Sequence, residues 1–127
     1  FNYVATGWNR DGLALRGAWQ LMGDFTQTRK ILIMLTDAEP NDDKPLVGDG
    51  LFSSSEYRDE KAVANTADEA ASLRREGIRI IGLINGENQH IMKDARKIFG
   101  EDCVEVRDLD KMADSVGKML CRQIESL

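Results

Sequence analysis

The chain has one histidine, two cysteines and two prolines in 127 residues, and aromatic side chains make up only 6% of it. The lone His90 stands beside no nucleophile or ligand pattern and no Ser-His-Asp order is seen, so a polar residue at a helix start is the expected role. Cys103 and Cys121 are widely spaced and form no metal motif; the default expectation is reduced structural thiols of a cytoplasmic protein, with a disulfide as the lesser reading. Few aromatics, no basic cluster and a formal charge of -5 argue against nucleic acid or an anionic membrane as partner. Such a surface suits a cation or a basic protein instead. No apolar run approaches the length needed to cross a bilayer, and there is no signal-peptide pattern. Gly-x-Gly-x-x-Gly and Walker loops are missing, and no aspartate lies two residues after Asp37 to make the usual Asp-x-Asp pair of phosphotransfer enzymes. The chain opens at Phe1 rather than methionine and reads as a piece of something longer.

What is present is 42% apolar residues, enough to close one core, in alternating helical and strand periods. Leu13, Leu15, Ala18, Leu21 and Met22 keep helical spacing after the loop at 7–12, and Gly23 is the expected stop. Five consecutive large apolar residues, Ile31 to Leu35, read as a strand buried on both faces that runs through Thr36 into Asp37. Residues 38–57 hold both prolines, glycines and the Ser53 to Ser55 run, so a long loop is expected there. A helix from Glu60 to Glu76 turns Val63, Ala67, Ala70 and Ala71 inward and ends at Gly77. Ile78 to Ile84 is a second strand, followed by an Asn85-Gly86 turn and a helix near His90 to Phe99 that Gly100 ends. Cys103 to Val106 is a short third strand, after which Asp108 is placed to cap a last helix carrying Met112, Val116, Leu120 and Ile124. Strands separated by helices predict a single α/β domain, a Rossmann-like three-layer α/β/α unit. Its strands near 30–36, 78–84 and 103–106 are parallel and adjacent in that order, with four flanking helices. In open parallel sheets the ligand crevice lies outside the carboxyl ends of the strands, which makes Asp37 the first residue to suspect of function.

Four segments carry a resemblance: Asn9 to Arg16, Ile31 to Asp42, Tyr57 with Glu60 to Val63, and Gly77 to Gly82. Together they resemble the back half of a von Willebrand factor A domain, most closely the bacterial branch of the nitric oxide reductase activation protein NorD and the cobaltochelatase subunit CobT. The resemblance implies a metal-ion-dependent adhesion site that binds Mg2+, or Mn2+ or Ca2+, through oxygen ligands at the top of the sheet. Asp37 matches the aspartate at the end of the later strand. The middle ligand falls in the loop at 9–11, where the family's threonine is absent; Asp11 is favoured and Asn9 competes with it. The family's Asp-x-Ser-x-Ser motif occurs nowhere in the chain, as expected if the front strands are missing. Two carboxylates alone should then hold magnesium weakly or not at all.

The resemblance further implies a protein-binding module rather than an enzyme. Its partners would be a MoxR-type AAA+ ATPase and a metalloenzyme that the complex activates or loads with metal or cofactor. The alternative is a Mg-dependent Rossmann-like phosphotransferase or hydrolase using Asp37. Asp11 also reads as a cap for a helix starting at Gly12. Glu39 and Thr36 are expected to shape the loop, and Ala38 stands where the family has glycine and restricts the backbone there. Asp42 and Asp43 read as solvated loop charges, with Asp42 the better functional candidate. The long loop is expected as a rim that orders when a partner docks, with Leu46, Leu51 and Phe52 as apolar anchors beside Glu39 and Asp42.

Overall fold

A computed structural model describes residues 8–23, 25–45, 56–86 and 88–125. The elements in chain order are α1 (Asp11–Met22), β1 (Lys30–Thr36), β2 (Asp42–Pro45), β3 (Glu56–Tyr57), α2 (Asp59–Arg75), β4 (Ile78–Ile84), α3 (Gln89–Phe99), β5 (Cys103–Glu105) and α4 (Leu109–Glu125). β1, β4 and β5 form a sheet in that order. β1 pairs with β4 in parallel from Lys30 opposite Ile78 to Thr36 opposite Ile84, and β4 pairs in parallel with β5 from Gly82 opposite Cys103 to Ile84 opposite Glu105. The three-layer α/β/α reading therefore holds, with the expected strand order and direction.

The pleat sorts the core into two layers, because successive strand residues face opposite sides. Ile78, Ile80 and Ile84 pack with Leu15 of α1, Val63, Ala70 and Leu73 of α2, and Ile98 and Phe99 of α3. Ile81 and Leu83 face the other way, onto Met119 and the half-buried Met112, Val116 and Leu120 of α4. β4 is the central strand and all but one of its residues are buried. The helix boundaries follow local chemistry. Gly77 and Gly100, with φ of 82° and 65°, follow α2 and α3 in a backbone region that glycine adopts without penalty. The Asn88 side chain caps α3 by accepting from the amide of His90 at 3.0 Å. No helix among the described residues is long and apolar enough to cross a membrane.

Three expectations are corrected. β1 is not buried on both faces: Ile33 and Leu35, on the α4 side, are 40% and 59% exposed, because β1 is the sheet edge among the described residues and α4 packs over β4. Residues 38–57 are not simply a loop, since β2 and β3 pair antiparallel at its two ends and Asn41 bridges to Asn9. That pairing is anchored by Tyr57, which is 1% exposed and whose hydroxyl lies 3.1 Å from Thr66 Oγ1 on α2. Thr66 Oγ1 in turn donates to the carbonyl of Ala62, so the buried hydroxyls satisfy one another. Finally, α1 begins at Asp11 rather than Gly12.

Candidate cation site and its cavity

β1 ends at Thr36, and the chain beyond it lines a cavity of about 870 Å³ whose other walls are the start of α2 and one face of α3. Asp37 sits on this cavity, exposed, with Oδ1 accepting from the amide of Glu39 at 3.1 Å. Its Oδ2 makes no hydrogen bond among the described residues. Asp11 lies behind the cavity wall rather than on it, only 6% exposed. The Thr36 hydroxyl donates to Asp11 Oδ2 at 2.7 Å, and Asn9 Nδ2 donates to Oδ1 at 3.1 Å. Thr36 Oγ1 accepts in turn from the amide of Ala38 at 3.0 Å, so the turn after β1 is tied through one hydroxyl to the first residue of α1. Sequence reading placed Thr36 only as a loop-shaping residue. The structure makes it the link between the two candidate carboxylates.

Burial pushes the Asp11 carboxyl above its ordinary range, the Thr36 hydrogen bond opposes this, and the charge of Asp37 pushes it up again, with Asn9 opposing weakly. Two carboxylates from different elements thus lie close enough to feel each other, and a cation between sheet and helix would relieve that repulsion. Asn9 also lines the cavity, but its Oδ1 already accepts from the amide of Asn41 at 3.0 Å. Asn41 supplies a group that sequence reading missed. Asn41 lines the same cavity, and its Oδ1 is buried with no hydrogen-bond partner among the described residues. A buried acceptor left without a donor is costly unless a ligand or ion satisfies it. Asp37 and Asn41 bring to one cavity hard oxygen atoms of the kind a divalent cation such as Mg2+ takes. Among the described residues no three of His, Cys, Asp and Glu gather as ligands.

The remaining sequence candidates fall in different places. Glu39 is exposed on the cavity. Asp42 is not a solvated loop charge: it ion-pairs with Arg10, whose guanidinium also lies 5.2 Å from the Tyr57 ring centre. Leu46, Leu51 and Phe52 lie outside the described residues. Trp8 lines the cavity with Arg58 stacked 5.5 Å from its ring, whereas Trp19 packs against the core. Ala38 is fully buried at φ 56°, a left-handed conformation that favours glycine. His90 is the second residue of α3, as expected, yet it also faces the cavity and pairs through Nδ1 with Asp94 Oδ2 at 3.2 Å. Lys97 Nζ holds the other oxygen of Asp94 at 2.8 Å.

Comparison of the chain with family models, with curated proteins and with solved structures finds no match.

Proposed function

We propose that this chain is part of a divalent-cation-dependent protein-binding module of the von Willebrand A type. It would act as an accessory to a MoxR-type AAA+ ATPase in activating a metalloenzyme or inserting its metal or cofactor. The observation that carries the reading is the placement of Asp37 on an open cavity with the buried, hydrogen-bonded Asp11 behind it. The resemblance of the Asn9 to Arg16 and Ile31 to Asp42 segments supplies the biological context. When bound, the cation would offer an open coordination position to a carboxylate of the partner. Asp37 would hold it directly, with Asn41 or Asn9 contributing a neutral oxygen. Asp11 would hold Thr36 and Asn9 in place and add negative charge from below. Neither donor then needs to reorganise when the ion arrives.

Calorimetry of the full-length protein with Mg2+ tests this. Asp37→Ala is expected to abolish binding while leaving the melting temperature nearly unchanged, since Asp37 is exposed and its one hydrogen bond is local. Co-purification followed by partner identification is expected to return the ATPase. Equal Mg2+ binding by wild type and Asp37→Ala would refute the site, and Asp37-dependent hydrolysis of p-nitrophenyl phosphate would favour an enzyme instead.

A further inference from the structure

The cavity is lined by five carboxylates against two lysines and one histidine. Asp37 and Glu39 follow β1, Asp59 and Glu60 open α2, and Asp94 stands on α3 with His90, Lys93 and Lys97. Asp94 is 8% exposed and takes both His90 and Lys97 as partners. Lys97 also feels the charge of Glu60, though its bond to Asp94 is the larger influence. The exposed carboxylates of Glu39 and Asp59 make no hydrogen bond or ion pair among the described residues. Trp8 forms another part of the lining and is 48% exposed, with the Arg58 guanidinium 5.5 Å from its ring centre. Asn41 adds the buried Oδ1 that lacks a donor among the described residues.

We propose that this cavity binds an arginine side chain of a partner protein, carried on a short basic segment, with Glu39, Asp59 and Glu60 as its anchors. The proposal stands apart from the cation reading above, because it needs neither Mg2+ nor Asp37. Charge decides the sign of the occupant. Carboxylates in excess draw a cation and repel an acidic chain over a Debye length of about 8 Å at physiological salt. Hydrogen-bonding capacity decides its kind. A guanidinium carries five N–H donors and no acceptor, and it pairs with a carboxylate through two parallel N–H groups. Away from α3 the cavity presents the complement, carboxylate and amide oxygens that accept. The planar guanidinium also suits the exposed ring of Trp8, against which Arg58 already lies. A lysine ammonium has three donors and no flat face, so it is the poorer occupant. The cavity volume lies within the range of ligand pockets, about 300–1,000 Å³, which leaves room for an arginine and its chain neighbours. Asp59 and Glu60 also favour the amino end of α2 through the helix dipole, a role that would show in stability and not in peptide binding.

Fluorescence anisotropy of the full-length protein in EDTA, with a fluorescein-labelled peptide of alternating Arg and Gly, reads the site without any metal. Binding is expected, weaker with alternating Lys and Gly and absent with alternating Asp and Gly. Asp59→Asn with Glu60→Gln should weaken it about fivefold or more, and asparagine tolerates the φ of 48° at Asp59. Glu39→Gln, outside any helix, is the second variant and should weaken binding even if the α2 pair fails to fold. Lys93→Gln should tighten binding, because the lysine charge opposes the occupant. Asp114→Asn with Glu125→Gln, exposed on α4 and outside this cavity, controls for net charge and should change affinity by less than about twofold. If the α4 pair weakens binding as much as the cavity variants do, the attraction is one of overall charge and the proposal is overturned. Tighter binding of the acidic peptide than of the arginine peptide overturns it as well. A wild type that binds Mg2+ by calorimetry but not the arginine peptide refutes this proposal alone, whereas one that binds the peptide but not Mg2+ refutes only the cation reading.

Discussion

Gly82→Ala probes how closely α3 lies on the sheet. Gly82 sits in β4 between Ile80 and Ile84 on the helix-facing side, and a Cβ built there would be 2.4 Å from Phe99 Cδ2 and 2.6 Å from Cγ. Carbon atoms rest about 3.5–4.0 Å apart, so the ring must retreat by roughly 1 Å. Phe99 is only 1% exposed and surrounded by Ala95, Ile98 and the β4 isoleucines, so it has nowhere to go without displacing α3. Overpacking of this kind costs about 1–3 kcal/mol. In a domain of this size that lowers the melting temperature by roughly 5–15 °C. Urea denaturation monitored by circular dichroism would measure it, with Gly117→Ala as the internal control. A Cβ at Gly117, in the middle of α4 and exposed, meets nothing within 4 Å, so that variant should gain about 0.5–1 kcal/mol from helix propensity. Adding Phe99→Leu to Gly82→Ala should recover about 1 kcal/mol or more relative to additivity, because the smaller side chain vacates the contested space. If Gly82→Ala stays within about 0.5 kcal/mol of wild type and the pair is additive, α3 does not pack as described.

The sheet was readable because its signals are local and redundant. The Ile31 to Leu35 and Ile78 to Ile84 runs are too short and too rich in β-branched residues for helices, glycines end two of the helices, and parallel pairing follows from the crossovers. The antiparallel contact of β2 with β3 was not readable. Its residues, Asp42 to Pro45 and Glu56 to Tyr57, show no alternation, and the pairing depends on Tyr57 finding Thr66 across to α2. The exposure of Ile33 and Leu35 was hidden for a related reason: an apolar run reports the burial a strand can accept, not which neighbours cover it. At the candidate site, Asp37 was legible from the strand it ends. The burial of Asp11 was not, because a polar residue before a helix reads equally as a solvent-facing cap, and only the tertiary contact with Thr36 decides. Asn41 was read only as part of the Ile31 to Asp42 segment, because the burial of its side chain depends on a cavity it shares with distant residues.

Two further outcomes test the local chemistry of the site. Ala38→Gly relieves a left-handed alanine worth about 1–2 kcal/mol but loses a buried methyl and gains unfolded-state freedom of comparable size, so denaturation should place it within about 1 kcal/mol of wild type despite the full burial of Ala38. A loss above about 2 kcal/mol would mean the methyl packs more tightly than its left-handed backbone costs. Asp11 makes stability depend on pH in a defined direction. Its carboxyl is raised above the ordinary 3.8 by burial, so between that value and its folded value the native state holds a proton that the unfolded chain has lost. Stability must therefore fall as pH rises from about 3.8 through the folded value, and level off above it, as far as this group is concerned. Asp11→Asn removes the ionisation and should flatten that decline, measured as the difference between wild-type and variant unfolding free energies across the acid range. Thr36→Val should do the opposite, because the Thr36 hydroxyl is the strongest influence holding the Asp11 carboxyl down. Without it the decline should extend to higher pH, and Mg2+ added to the full-length protein should shorten it by favouring the ionised form. Parallel wild-type and Asp11→Asn curves would show that Asp11 titrates alike in both states and would refute burial as an influence on its carboxyl.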